Sequence, residues 1–128
     1  MTAMARLKVG IDLVQTSRIA ESLAKFGDRF ERRIFTAREA TYARGEPERF
    51  AARFAAKEAA KKALGLDGVG WTDIEVVRSE RGDLELCLHG AARAAADRLG
   101  AHDLAVSMSH EGDYATAIVI AQCDPEVA

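Results

Sequence analysis

The chain has 128 residues, 48% of them hydrophobic and 30% charged, with a formal net charge of −2. That length fits one domain over residues 1–128, and the apolar content suffices for a core without disulfide staples. No stretch approaches the roughly 20 apolar residues of a membrane span, the first residues lack the plan of a secretory leader, and Cys87 and Cys123 show no disulfide or metal-ligand spacing. These features argue against a membrane protein and for a reducing, cytoplasmic setting.

Charge is unevenly distributed along the chain. Residues 1–64 carry 14 Lys and Arg against 8 Asp and Glu, whereas residues 65–128 carry 4 against 12. A basic front half suits an acidic protein or a polyphosphate, and equally a solvated helix surface. Nucleic acid is disfavoured, because the five Phe, two Tyr and one Trp do not alternate with basic residues as a base-stacking surface requires.

Residues 7–14 set Val9, Ile11 and Leu13 against Lys8, Gly10 and Asp12, the period of two expected of a strand. Thr16 then offers a cap for a helix over residues 17–26, ended by Gly27 and followed by a turn. Thr36 and Glu39 form a capping box that opens a short helix, and Gly45-Glu46-Pro47 breaks it. The main helix covers residues 47–64, rich in Ala, with Gly65 at its C-cap. Residues 73–80 and 83–89 read as a hairpin turning at Arg81-Gly82, residues 91–99 as a helix closed by Gly100, and residues 104–110 and 114–122 as two apolar strands. Residues 1–5 read as a short extension, with Met4 as an alternative start, and residues 124–128 as a frayed tail. The implied fold class is α+β: an antiparallel sheet packed against one long helix and shorter helices.

Three places carry residues that the pattern alone does not absorb. On the main helix Glu58 interrupts the apolar stripe about 80° from Phe50. A carboxylate there needs a cation, which is either Lys62 at i+4 or a metal. Arg53, Lys57 and Lys61 repeat at i, i+4, as a phosphate-binding ridge or as the wet side of the helix. Asp12 lies near the end of a strand whose neighbours suit a core; with Glu58 it makes two hard-oxygen ligands of the kind Mg²⁺ takes together with substrate phosphates. His110 closes the strand of Ser107-Met108-Ser109-His110, either as hydrogen-bonded surface or as a ligand or phosphate contact. His89 and His102 have no supporting cluster.

Taken together, Gly10-Ile11-Asp12-Leu13, Arg53-Phe54-Ala55-Ala56-Lys57-Glu58-Ala59 with Lys62 and Gly65, and Ser107-Met108-Ser109-His110 resemble, in order and spacing, the signature segments of the holo-acyl-carrier-protein synthase family. The resemblance covers about residues 9–121. It implies transfer of phosphopantetheine from coenzyme A to a serine of apo-acyl carrier protein, releasing 3′,5′-ADP. It further implies Asp12 and Glu58 as Mg²⁺ ligands, Glu58 as an aid to deprotonating the serine, and Lys62 against the phosphate under attack. Arg53, Lys57 and His110 match positions near the coenzyme's phosphates, and Arg18 a position on the surface that docks the acidic carrier. The short members of the family resemble homotrimers with active sites across subunit boundaries. One departure is Gly82-Asp83-Leu84, where family members usually carry proline soon after the glycine. The competing readings are a non-catalytic trimer that binds carrier proteins or nucleotides, and a Mg²⁺ phosphohydrolase, which needs more carboxylates than this chain offers.

Overall fold

The structure, a computed structural model, describes residues 4–125. Its elements run β1 (Arg6–Gln15), α1 (Thr16–Phe26), α2 (Asp28–Ile34), α3 (Ala37–Ala43), α4 (Pro47–Leu64), a single 3-10 turn (Trp71–Asp73), β2 (Ile74–Arg78), β3 (Leu84–Leu88), α5 (Gly90–Arg98), β4 (Ala101–Glu111) and β5 (Tyr114–Cys123). Two antiparallel sheets result: three strands in the order β1-β5-β4, and the β2-β3 hairpin. The α+β class expected from sequence is the class observed.

Helix α4 is the axis of the molecule. Phe50, Ala51, Ala52, Ala55, Ala56, Ala59, Ala60, Ala63 and Leu64 are all buried along it, so it is enclosed on most sides rather than lying with one wet face. Alanine makes this possible, because short side chains let the helix backbone approach the sheet. The approach is closest at Gly10 on β1, where an added Cβ would lie 2.0 Å from the Ala59 carbonyl oxygen and 2.7 Å from the Ala63 nitrogen. Toward its N-terminal end, α4 packs with Ile19, Ile34 and Ala43 from the first three helices and Phe35 from the α2–α3 link; toward its C-terminal end it meets Ile74, Val76, Leu88, Ala92 and Val119.

Local signals that predicted elements are realised with three differences. The Thr36–Glu39 capping box is present, with both halves of the exchange made, and Gly65 takes the left-handed C-cap of α4. Thr16, by contrast, does not cap α1. It is the first helical residue, and the cap comes from Asp113 in the β4–β5 turn: Ser17 donates its backbone N–H to Asp113 Oδ1 (2.9 Å) and its hydroxyl to Asp113 Oδ2 (2.6 Å). The segment after Gly27 is not a plain turn but α2, with Asp28 and Glu31 in its first turn and Arg32 and Arg33 in its last, an order that suits the helix dipole. The supposed tail is anchored at its start: Asp124 donates its N–H to the Gly100 carbonyl (2.9 Å) and accepts from Arg6 Nε at its own carbonyl (3.0 Å). The expectations for residues 1–3 and 126–128 lie outside the described residues.

The two faces of β1 are the reverse of what hydropathy alone suggests. Gly10 packs against α4 and Asp12, on the same face, is mostly covered, while Leu7, Val9, Ile11 and Leu13 stay 73%, 62%, 62% and 63% exposed on the other. With Ile120 at 41%, opposite Val9 on β5, they form an open apolar stripe.

Candidate active site

Asp12 reaches the α4 side of β1 because strand side chains alternate and Gly10, two residues earlier, is pressed onto the helix. Its backbone is fixed by Thr116 of β5, whose hydroxyl donates to the Asp12 carbonyl at 2.7 Å. Lys62 Nζ donates to Asp12 Oδ1 and to the Ile11 carbonyl, each at 3.0 Å. Lys62 therefore does not make the helical i, i+4 pair with Glu58. Glu58 is half-buried, one turn before Lys62 and about 6 Å along the helix axis, and makes no hydrogen bond or ion pair among the described residues. The strand and the helix thus bring Asp12 and Lys62 into contact and leave the Glu58 carboxylate unspent.

Further toward the N-terminus of α4 lies a cleft of about 330 Å³, lined by Tyr42, Arg49, Arg53, Arg78, Ser109 and His110 among others. The Tyr42 ring is its platform: the guanidinium carbons of Arg53, Arg49 and Arg78 lie 4.2, 5.3 and 5.6 Å from the ring centroid. Burial pushes the Tyr42 hydroxyl up, but a hydrogen bond to Arg78 and the charges of Arg78, Arg53 and Arg49 outweigh it and bring it below its ordinary value. Arg53 is only 2% exposed, and its Nε, fully buried, has no partner. Burial pulls its pKa down, with Glu39 and Tyr42 opposing. Such a donor is costly to leave unmet. His110 stands at the rim, more than half exposed, 4.0 Å from Glu48.

Lys57 is placed differently from the expected ridge. It is 0% exposed and donates to Glu39 Oε1 (2.7 Å), to the Trp71 carbonyl (3.1 Å) and to the Ile74 carbonyl. An ammonium has three donors, and all three are taken within the protein, so Lys57 here ties elements together rather than facing the cleft. Glu39 completes the hub by accepting from Thr36 N–H and Val76 N–H, both at 2.9 Å. Beside it, Glu75 accepts from Arg38, Thr36 and His89. Burial raises its pKa, yet these hydrogen bonds and the Arg38 charge hold the carboxyl at about 2. Lys61, the last member of the ridge, lies 3.6 Å over the Trp71 ring.

Arg18 is exposed on α1. Along α1 and α2, Lys25, Arg29, Arg32 and Arg33 are all exposed, and Phe26, Arg29, Phe30 and Arg33 line a groove of about 240 Å³. Tyr42, Arg49 and Arg78 were not singled out from sequence. Arg49, four residues before Arg53 on one helix, was within reach of spacing arguments; Tyr42 and Arg78 come from other elements and left no local signal.

An α+β protein with an open carboxylate–ammonium pair and an arginine-lined cleft along one helix can hold a phosphorylated ligand. The model of the 4′-phosphopantetheinyl transferase superfamily matches residues 8–119. The holo-[acyl-carrier-protein] synthase of Koribacter versatilis is 47% identical over 120 residues, covering 89% of this chain and 96% of that protein. That of Herpetosiphon aurantiacus is 43% identical over 123 residues, covering 89% and 97%. Among solved structures, the ACPS–CoA complex of Chronobacterium ammoniagenes superposes with a TM-score of 0.83 at 34% identity, covering 93% of this chain and 98% of that one. The chain belongs to the 4′-phosphopantetheinyl transferase superfamily.

Proposed function

We propose that this chain is a holo-acyl-carrier-protein synthase: it transfers phosphopantetheine from coenzyme A to a serine of apo-acyl carrier protein and releases 3′,5′-ADP. The observation that carries the reading is the pairing of Asp12 with Lys62 beside an unspent Glu58, in a chain whose relatives with this activity match it over nearly their whole length. Two carboxylates that need only substrate phosphates and water to complete a shell fit Mg²⁺, a hard cation. Asp12 and Glu58 would hold it, and when bound it supplies charge neutralisation at the pyrophosphate.

In the transfer, the serine oxygen forms a bond to the phosphorus that carries the pantetheine arm. The bond from that phosphorus to the bridging oxygen breaks, and 3′,5′-ADP leaves with the electron pair. The serine proton passes to Glu58 or to a water that Glu58 orients. Lys62, exposed enough to swing, meets the phosphate under attack, where a cation stabilises charge spreading over its oxygens. Arg53 and His110 hold other coenzyme phosphates, with Arg49 and Arg78 extending the same wall. Arg18 and its basic neighbours on α1 and α2 receive the acidic carrier. Two free cysteines, one buried and one half-buried, suit a reducing cytoplasm.

The exposed stripe of Leu7, Val9, Ile11 and Leu13 supports burial against further copies of the chain, which we read as a homotrimer, because a monomer seldom leaves so continuous an apolar strand face open to water. Light scattering that returned a monomer mass contradicts the assembly. The function itself is tested by mass spectrometry of apo-carrier protein incubated with coenzyme A, Mg²⁺ and the enzyme. The carrier should gain the mass of one phosphopantetheine arm with the wild type and almost none with Glu58→Gln; an unmodified carrier with the wild type refutes the assignment.

A further inference from the structure

Lys62 carries two jobs that cannot be done at once. Its ammonium donates to Asp12 Oδ1 and to the Ile11 carbonyl, each at 3.0 Å, so it sits on the oxygen proposed to hold the metal. The same side chain is proposed to neutralise the phosphate under attack. Nothing else in the site competes for Asp12, since its carboxylate has no second cation among the described residues. Glu58, the other proposed ligand, has no hydrogen-bond or ion-pair partner among the described residues. Lys62 is 54% exposed and the Asp12 side chain 17%, so the lysine is free to leave while the carboxylate stays in place.

We infer that Lys62 is a surrogate cation for Asp12: it competes directly with a divalent ion, and its release from Asp12 accompanies metal entry and delivers the ammonium to the coenzyme. The inference rests on the metal assignment made above and goes beyond it, giving Lys62 a positioning role before any substrate arrives. The lysine gives the otherwise unpaired Asp12 carboxylate a partner without blocking the site permanently. A partly exposed pair of this kind holds weakly, on the scale of a surface ion pair, so a divalent ion together with the coenzyme displaces it. Metal and coenzyme binding should then favour each other, because a coenzyme phosphate offers the displaced ammonium a new partner.

The test titrates Mn²⁺ into the metal-free full-length chain without coenzyme and follows free Mn²⁺ by electron paramagnetic resonance. Lys62→Met should bind Mn²⁺ about three- to fivefold more tightly than wild type, the gain expected from removing a competitor held like a surface ion pair. The gain should vanish in Lys62→Met combined with Asp12→Asn. Lys61→Met removes an equal charge from the cation stacked on Trp71 and should leave Mn²⁺ affinity unchanged. Equal or weaker binding by Lys62→Met overturns the surrogate role. So does a gain that survives Asp12→Asn, or an equal gain in Lys61→Met, which reduces the effect to general charge. The two readings fail separately: if Asp12→Asn alone binds Mn²⁺ as wild type does, the metal assignment is wrong, whereas if it weakens binding and Lys62→Met does not strengthen it, only the surrogate role is lost.

Discussion

Lys57 and Lys62 lie on one helix, and each meets a carboxylate brought from another element, but the two pairs have opposite characters. Lys57 and Glu39 are wholly buried, and every donor of the lysine is used. Lys62 and Asp12 are 54% and 17% exposed, and neither carboxylate near that lysine is saturated. A saturated pair has nothing left to offer a ligand and ties α4 to α3 and β2. An unsaturated pair at an opening can trade its partners, which is what binding a metal and a polyphosphate requires. Sequence motifs alone place both lysines in one functional segment; the acceptors around each amine separate them.

The contrast can be broken most forcefully at Lys57. Lys57→Met leaves Glu39 buried without its cation and should cost about 3–5 kcal/mol, read as a lowered denaturation midpoint; a loss below about 1 kcal/mol would show that the hub is not what ties α4 down. Gly10→Ala comes next. Its Cβ meets helix backbone, which cannot rotate away, so α4 must shift from β1 at a cost of about 1–3 kcal/mol, and Asp12 and Lys62 should lose register, with the Mg²⁺ requirement for half-maximal transfer rising even where the variant is fully folded.

The buried side also sets a pH signature. Glu75 has a folded pKa of about 2 against an ordinary 4.5. A depressed carboxyl contributes stability that is fully present above pH 4.5 and is lost as pH falls toward 2. Urea midpoints measured over that window should fall for the wild type and flatten for Glu75→Gln. On the open side stability should hardly respond: Lys62→Met should change it by less than about 1 kcal/mol, yet lower transfer by about a hundredfold or more. Arg18→Glu, at an exposed residue in neither pair, should leave stability and the KM for coenzyme A alone and raise the KM for the carrier; a change confined to the coenzyme would move the docking surface elsewhere.

Elements fixed by local chemistry were legible in the sequence. The Thr36–Glu39 box, Pro47 at the start and Gly65 at the end of α4, and the period of two in β1 all state their structure within a few residues. What was not legible depends on partners distant in the chain. The burial of Lys57 follows from Glu39 eighteen residues earlier and from the Ile74 carbonyl seventeen later. The α1 cap needed Asp113, ninety-six residues away. The inward face of β1 was misleading for a physical reason: the face with glycine is the one a helix can touch, so the apolar residues are left outside for a different partner. Asp12 and Glu58 stood out as carboxylates among apolar neighbours, the family resemblance gave them and Lys62 their roles, and the fold brings Asp12 and Lys62 together while leaving Glu58 unpaired among the described residues one turn away.

The most direct measurement is an anomalous-difference map from crystals of the protein grown with Mn²⁺ and coenzyme A. A single strong peak should lie within coordination distance of both the Asp12 and Glu58 carboxylates, with Lys62 turned from Asp12 to a coenzyme phosphate. A peak that neither carboxylate touches, or Lys62 still bonded to Asp12 with metal and coenzyme in place, contradicts this arrangement.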